Sequence, residues 1–320
     1  MERTAVILFN LGGPDSPEAI EPFLFNLFMD PEIIALPFGS VFRKPLARFI
    51  SRKRAKKVRL KYNEIGGSSP INELTEKQRK ALEESLRNAG HTADVYTVMR
   101  YWHPLISETA DRVTQSSYDT IVLLPLFPQF SYSTTRSAFN EWSRVSAGIT
   151  AHTRTIESYH NNKTYIEAVN RRIDESLKQF PDGETGNVTL LFSAHSIPVS
   201  MIKKGDPYQK QVEETVSAVM TKRGGDLPHR LSYQSRVGPV KWLEPATEDT
   251  LTELAADEVK NVLVVPVSFV SDHLETVHEL NIEYRKIAVD AGIQNYIVME
   301  GLNDSPMFIR ALHEMIEENL

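Results

Sequence analysis

The 320-residue sequence predicts an α/β protein of two similar halves, each a parallel β-sheet flanked by helices, with a cleft between them. Three observations carry this. Short aliphatic and β-branched runs alternate with longer helical patterns, the signature of βαβ units. Runs such as VTLLFSA at 188–194 and VLVVPVSF at 262–269 are apolar almost throughout, as strands buried on both faces must be. No low-complexity linker interrupts the chain, so the halves are expected to share an extensive interface.

In chain order, strands are expected at Ala5–Leu11, Asp94–Arg100, Thr120–Leu126, Arg154–Tyr159, Val188–His195, Arg230–Gln234, Asn261–Ser268 and Tyr296–Glu300. Helical spacing is clearest over Glu73–Asn88, Thr164–Gln179, Tyr208–Lys222 and Thr247–Val259. If a short run near Ile33–Leu36 counts as a strand, the two halves are balanced around residue 150. The expected division is residues 1–150, joined by a returning carboxyl-terminal helix within 304–320, and residues 151–303 carrying the second half. The last helical pattern, Pro306–Asn319, is the segment that crosses back.

Composition excludes several chemistries. The chain has no cysteine, so disulfides, zinc–thiolate sites and iron–sulfur clusters are ruled out for this sequence. Metal ligation falls to His, Asp and Glu. No apolar run approaches the ~18 residues of a membrane span, and the amino-terminal apolar stretch ends too early, at Gly12-Gly13-Pro14, for a secretory signal. A cytoplasmic protein is expected.

Charge is unevenly placed. Arg43–Lys61 carries ten basic residues and no acidic one, leaving 26 basic against 42 acidic residues elsewhere. Such a run is often a solvated helix face, but it also suits an anionic surface or ligand. The apolar segment Pro22–Pro37 precedes it, and together they could give peripheral membrane contact. The acidic remainder argues against nucleic acid.

Ligands of open α/β sheets bind beyond the carboxyl ends of the strands. The polar residues placed there are Asn10, Arg100, His103, Ser131, His195 and the segment Ser268–Glu275. His195 ends a buried strand and can accept a proton or ligate a metal, although a strand-end histidine is more often structural. Asp272, Glu275, Glu279 and Glu283 are spaced three, four and four apart, which makes one stripe on an α-helix, with Ser271 or Asp272 available as its cap. The stripe can conduct a divalent cation or protons; the commoner fate of such a stripe is a solvated face. No phosphate loop, dinucleotide fingerprint or serine-hydrolase elbow is present. The loop FPQFSYSTT at 127–135 mixes rings and hydroxyls and suits a flat, apolar ligand with a polar edge.

Eight segments, taken in order, resemble the ferrochelatase (protohaem ferro-lyase) family: NLGGP at 10–14, YNEIGGSSPI at 62–71, RYWHP at 100–104, PQFSYSTT at 128–135, FSAHSIP at 192–198, KGDPY at 204–208, QSRVGPVKWLEP at 234–245 and SFVSDHLETVHELNIEY at 268–284. The resemblance covers nearly the whole chain. It implies two Rossmann-like halves and the insertion of ferrous iron into protoporphyrin IX, releasing two protons and forming protohaem; the alternative is a chelatase preferring coproporphyrin III. It further implies that His195 accepts pyrrole protons and that Glu275, with His195, holds or delivers iron. Arg100, Phe127, Trp242 and Phe269 match positions lining the porphyrin pocket, and Asp272, His273 and Glu279 match the metal and proton route. Fe2+ is then a substrate, porphyrin its partner, and no cofactor is bound permanently. The chain departs from the family at Asn281, where aspartate is frequent, and at Phe127 and His278, where tyrosine is common. The far end of the acidic route is therefore expected to differ. A porphyrin carrier without turnover is the rival reading, but it needs neither a proton acceptor nor an acidic row.

Overall fold

The computed structural model describes residues 3–34 and 42–320, and these form two compact units. All eight expected strands are present, with ends shifted by a few residues. The first unit comprises Met1–Phe127, Ser131–Ser158 and Leu312–Leu320; the second comprises Pro128–Phe130 and Tyr159–Ala311.

In the first unit the strands are β1 (Thr4–Asn10), β2 (Ala93–Met99), β3 (Thr120–Pro125) and β4 (His152–Thr155), all parallel and ordered β2-β1-β3-β4. The fourth strand is thus β4, not the run near Ile33–Leu36: Ile33 and Ile34 lie in a turn, and residues 35 and 36 fall outside the described residues. Because β4 pairs with β3, the first unit extends past residue 150 to Ser158. The helices between are α1 (Ile20–Met29), α2 (Arg43–Glu64), α3 (Ile71–Asn88), α4 (Ile106–Thr114) and α5 (Ser137–Val145). Every residue of β1 and β3 is buried, as their composition demands. Phe9 anchors one face, meeting Phe139 and Trp142 edge-to-face at 5.4 and 5.9 Å. Ile106, Ala110 and Val113 of α4 close the same core.

The second unit repeats the plan. Its helices and strands are α6 (Lys163–Leu177), β5 (Val188–His195), α7 (Val199–Lys203), α8 (Tyr208–Arg223), β6 (His229–Gln234), α9 (Thr247–Ala256), β7 (Asn261–Pro266), α10 (Arg285–Ala291), β8 (Asn295–Val298) and α11 (Pro306–Glu317). The parallel sheet is ordered β6-β5-β7-β8, the same topology as the first. The last part of α11, from Leu312, counts with the first unit. Between β7 and α10 the chain forms a π-helical segment, Glu275–Tyr284, where an α-helix is expected from the sequence. Leu280 and Tyr284 of that segment pack with Leu191, Val262 and Val264 of the sheet.

One sequence motif is explained by the fold alone. Gly12 has φ +76°, open to glycine at no steric penalty. At Gly13 a Cβ would lie 2.5 Å from Ser69 Cβ, and the Gly13 N–H and C=O are both held by the Asn72 amide, at 3.0 and 2.7 Å. The glycines of NLGGP thus let the loop after β1 lie flush against the start of α3. Gly13→Ala forces the loop off this contact and should destabilise the protein by about 1–3 kcal/mol, as overpacking does. A urea midpoint equal to that of the wild type would contradict this reading.

Candidate active site

In each sheet the order of strands reverses direction at one point, between β1 and β3 in the first and between β5 and β7 in the second. Such switch points leave a crevice beyond the strand ends. In the second unit His195 ends β5, and Ser268–Glu275 follows β7. Residues 80 apart in sequence therefore meet because their strands are neighbours. The His195 N–H donates to Ser268 Oγ at 2.9 Å, and Tyr208 Oη donates to the His195 carbonyl at 2.9 Å. Asp206 accepts from the Tyr208 N–H at 3.0 Å, which accounts for KGDPY as the start of α8. The loop after His195 is held by a short antiparallel contact with the Trp242 segment, where Leu243 N–H donates to the Ile197 carbonyl and Val199 N–H to that of Lys241.

Glu275 stands between two imidazoles. His195 Nε2 is 3.5 Å from Oε1, and His273 Nε2 is 3.2 Å from Oε2. Both rings have their Nδ1 against a backbone carbonyl, Ser196 O at 2.6 Å and Ser271 O at 3.0 Å. A carbonyl can only accept, so each Nδ1 carries its hydrogen and each Nε2 is left to face the carboxylate. Phe269 packs on both rings, with centroids 6.3 Å from His195 and 4.5 Å from His273. His195 and Glu275 retain 35% and 30% side-chain exposure against 11% for His273, so the first two can be reached by a ligand.

Electrostatics sharpen the pair. Burial alone would lower the His195 pKa, but the Glu275 carboxylate, the charge of Glu279 and the Ser196 carbonyl outweigh it and raise it to about 9. Burial likewise disfavours ionised Glu275, yet His195 and His273 hold its carboxyl well below the usual range. The substrate-free pair is thus imidazolium and carboxylate. Glu279 goes the other way: burial and the neighbouring Glu275 charge raise it, against hydrogen bonds from Ser235 and Tyr284. Those bonds are Ser235 N–H to Oε1 at 2.8 Å, Ser235 Oγ to Oε2 at 2.7 Å and Tyr284 Oη to Oε1 at 2.8 Å.

The segment that carries the expected stripe is π-helical and not α-helical, and residues four apart still lie close to one face in it. Glu275 and Glu279 stay together. Glu283 lies 3.8 Å from His278 Nδ1, and Asn281 is exposed, its Oδ1 accepting from Arg285 at 2.7 Å. The Asp272 carboxylate is turned into structure: it accepts from Thr276 Oγ1 at 2.8 Å, Gly301 N–H at 3.1 Å and Asn303 Nδ2 at 2.9 Å. Asp272 fixes the turn that carries His273 and Glu275 and does not join their row.

In the first unit Arg100, just after β2, has 17% side-chain exposure and pairs with buried Asp30 at 3.0 Å. Asp30 also accepts from Tyr101 Oη at 2.7 Å and from Ser137 Oγ. Phe127, after β3, is buried. Trp242 and Phe269 in the second unit are half-buried. Of the loop Phe127–Thr135, Gln129 is buried and donates to Thr215 Oγ1 and the Val267 carbonyl. Sequence reasoning missed Ser235, Gln234 and Tyr284. Gln234 Nε2 donates to the Glu275 carbonyl at 3.3 Å, and Ser235 has φ +66°, a left-handed conformation that a serine does not advertise. Their only sequence signal is membership of QSRVGP and of the end of HELNIEY.

A family model named Ferrochelatase matches residues 3–320. Ferrochelatases of Trichormus variabilis and Gloeobacter violaceus are each 46% identical to the whole of this chain, which covers 83% and 98% of their lengths. The chain belongs to the ferrochelatase family. It is an enzyme of haem biosynthesis that inserts ferrous iron into a porphyrin, and iron and porphyrin are its substrates. Solved structures share the fold at low identity. A multi-domain protein of Deinococcus radiodurans, similar in structure to chelatases, aligns with TM-score 0.58 and 13% identity over 100% of this chain and 56% of its own. The sirohydrochlorin chelatase SirB of Bacillus subtilis in complex with cobalt aligns with TM-score 0.56 and 10% identity over 99% and 94%.

In this ferrochelatase-family protein the His195 ring is expected to titrate near pH 9 without substrate. Its folded value lies above the unfolded one, so the ring's own contribution to stability is complete below about pH 6.5 and is lost as pH rises through about 9, while the lowered carboxyl of Glu275 loses its share only in acid. Glu275→Gln removes the main raising influence while burial persists. The ring's NMR midpoint should then drop to the ordinary value of about 6.5 or below. An unchanged midpoint would contradict the assignment of the shift to Glu275.

Proposed function

We propose that the porphyrin receiving iron is protoporphyrin IX, that protohaem is the product, and that His195 and Glu275 exchange protons for iron. The observation that carries this is the contact of His195 Nε2 with Glu275 Oε1 beyond β5 and β7. The carboxylate offers an oxygen to the incoming ion, replacing part of its water shell. A divalent cation beside the imidazolium repels its proton, so the ring that binds a proton tightly in the free protein becomes a base once iron arrives. Nε2 then accepts the two pyrrole protons one at a time, each passed outward before the next arrives, with Nδ1 held by Ser196 throughout.

Glu279, raised and linked to Ser235 and Tyr284, continues the route for protons or metal. His273 shares the carboxylate of Glu275, and Asp272 supports the route as a positioning residue. Arg100, Phe127, Trp242 and Phe269 are assigned to porphyrin binding, the role that the resemblance implies for each. A flat macrocycle points its lone pairs inward, and binding energy that bends it exposes them to the metal. No permanent cofactor enters this scheme.

The protein is proposed to work in the cytoplasm with peripheral contact to membrane lipid, where an apolar porphyrin partitions. Among the described residues no helix is long and apolar enough to cross a membrane. Helix α2 carries the basic run and exposes Phe49 and Leu60, and Phe42 is exposed just before it, which supports an interfacial lie. Pro22–Pro37 reaches beyond the described residues at 35–37.

The test is metalloporphyrin formation from anaerobic ferrous iron with protoporphyrin IX or coproporphyrin III. Protoporphyrin should be the better substrate, and His195→Ala should reduce kcat by about 10²-fold or more, the usual share of a proton acceptor, with porphyrin affinity kept. Faster turnover of coproporphyrin would replace the substrate assignment. Near-wild-type turnover of His195→Ala would overturn the role of the histidine.

A further inference from the structure

We propose that His91, His313 and Glu317 form a second divalent-cation site, of the zinc class, that clips α11 to the loop before β2 within the first unit. The three side chains come from two segments that meet only in the fold. His91 lies in the turn between α3 and β2, its N–H bonded to the Leu86 carbonyl at 3.1 Å. His313 and Glu317 are four apart on α11 and so share one face. One ligand atom from each lies within 4.8 Å of the others.

The geometry is close to that of a coordinated ion. His91 Nε2 is 3.1 Å and His313 Nε2 is 3.2 Å from the same oxygen, Glu317 Oε1. Ligands about 2.0–2.1 Å from a tetrahedral zinc stand roughly 3.3 Å apart, so an ion fits after small side-chain shifts. Ser85 Oγ lies 2.7 Å from His313 Nδ1. If the hydroxyl accepts from Nδ1–H, the Nε2 lone pair is presented to the cation, the outer-shell arrangement typical of metal-binding histidines.

Borderline nitrogen donors with one carboxylate suit Zn2+ over Mg2+ or Ca2+. His91 and Glu317 remain a third and nearly a half exposed, leaving room for water to complete the shell. An ion here would tie the last helix to the segment feeding β2, and so link the stability of the first unit to metal. The site shares no residue with the His195–Glu275 pair.

The experiment is a Zn2+ titration of untagged protein against a chromophoric chelator, with thermal unfolding in parallel. The wild type should bind one equivalent more than His91→Gln/His313→Gln, and each single variant should weaken that equivalent. The Zn2+-dependent rise in Tm should shrink in these variants while the rate of iron insertion is unchanged. Ser85→Ala keeps all three ligands and should weaken the same equivalent by about tenfold, the lower range for outer-shell partners. The same titration on Glu275→Gln separates the sites, since any ion bound at that pair is lost there and the His91 equivalent persists. Equal stoichiometry and affinity in wild type and double variant would show that protons alone bridge the three groups, and would overturn the proposal.

Discussion

The carboxylate of Glu275 lies between two imidazoles, each pinned at Nδ1 by a backbone carbonyl. That arrangement leaves two Nε2 atoms and one carboxylate as the movable part of an otherwise fixed site. In the proposed mechanism a proton and a divalent ion compete for the same atoms, the exchange that iron insertion requires. The protein supplies the fixed part from its sheet: β5 delivers His195, β7 delivers His273 and Glu275, and the two strands are hydrogen-bonded neighbours at a switch in strand order. Hydroxyls and amides behind the site, Ser268, Gln234, Ser235 and Tyr284, hold its backbone and its second carboxylate. Preorganisation of this kind lets charge move without rearranging the surroundings.

The two carboxylates are shifted in opposite directions although both sit on one π-helical segment. Glu275 is drawn to its ionised form by two histidines, whereas Glu279 is desolvated beside a like charge and shifted upward. In the proposed route the first holds charge and the second hands protons on. Pairs of titratable groups pushed apart by their surroundings mark a division of acid–base labour.

Much of this was legible in the sequence. The eight strands were, because strands buried on both faces need continuous aliphatic runs. His195 and Glu275 were individually legible as strand-end polar residues, but their meeting depends on which strands are neighbours, and periodicity does not encode strand order. The resemblance of eight motifs supplied that link. The helix type under the acidic stripe was not legible, since an α-helix was expected where the segment is π-helical. Asp272 turned into a backbone brace, and Asn281 into an exposed partner of Arg285. Ser235 was invisible because a positive φ at a serine is imposed by tertiary bonds to Glu279. The meeting of the residue-91 turn with α11 was out of reach for the same reason: His91 and His313 stand 222 positions apart and meet only in the folded unit.

The central claim is that a metal ion at Glu275 displaces the proton held by His195. Proton release on adding anaerobic Fe2+ to porphyrin-free protein near pH 7.5, followed in weakly buffered solution, tests it directly. The account predicts about one more proton released by the wild type than by His195→Ala, since a ring titrating near 9 is protonated at that pH. Equal proton release by the two proteins, with iron bound in both, would contradict it.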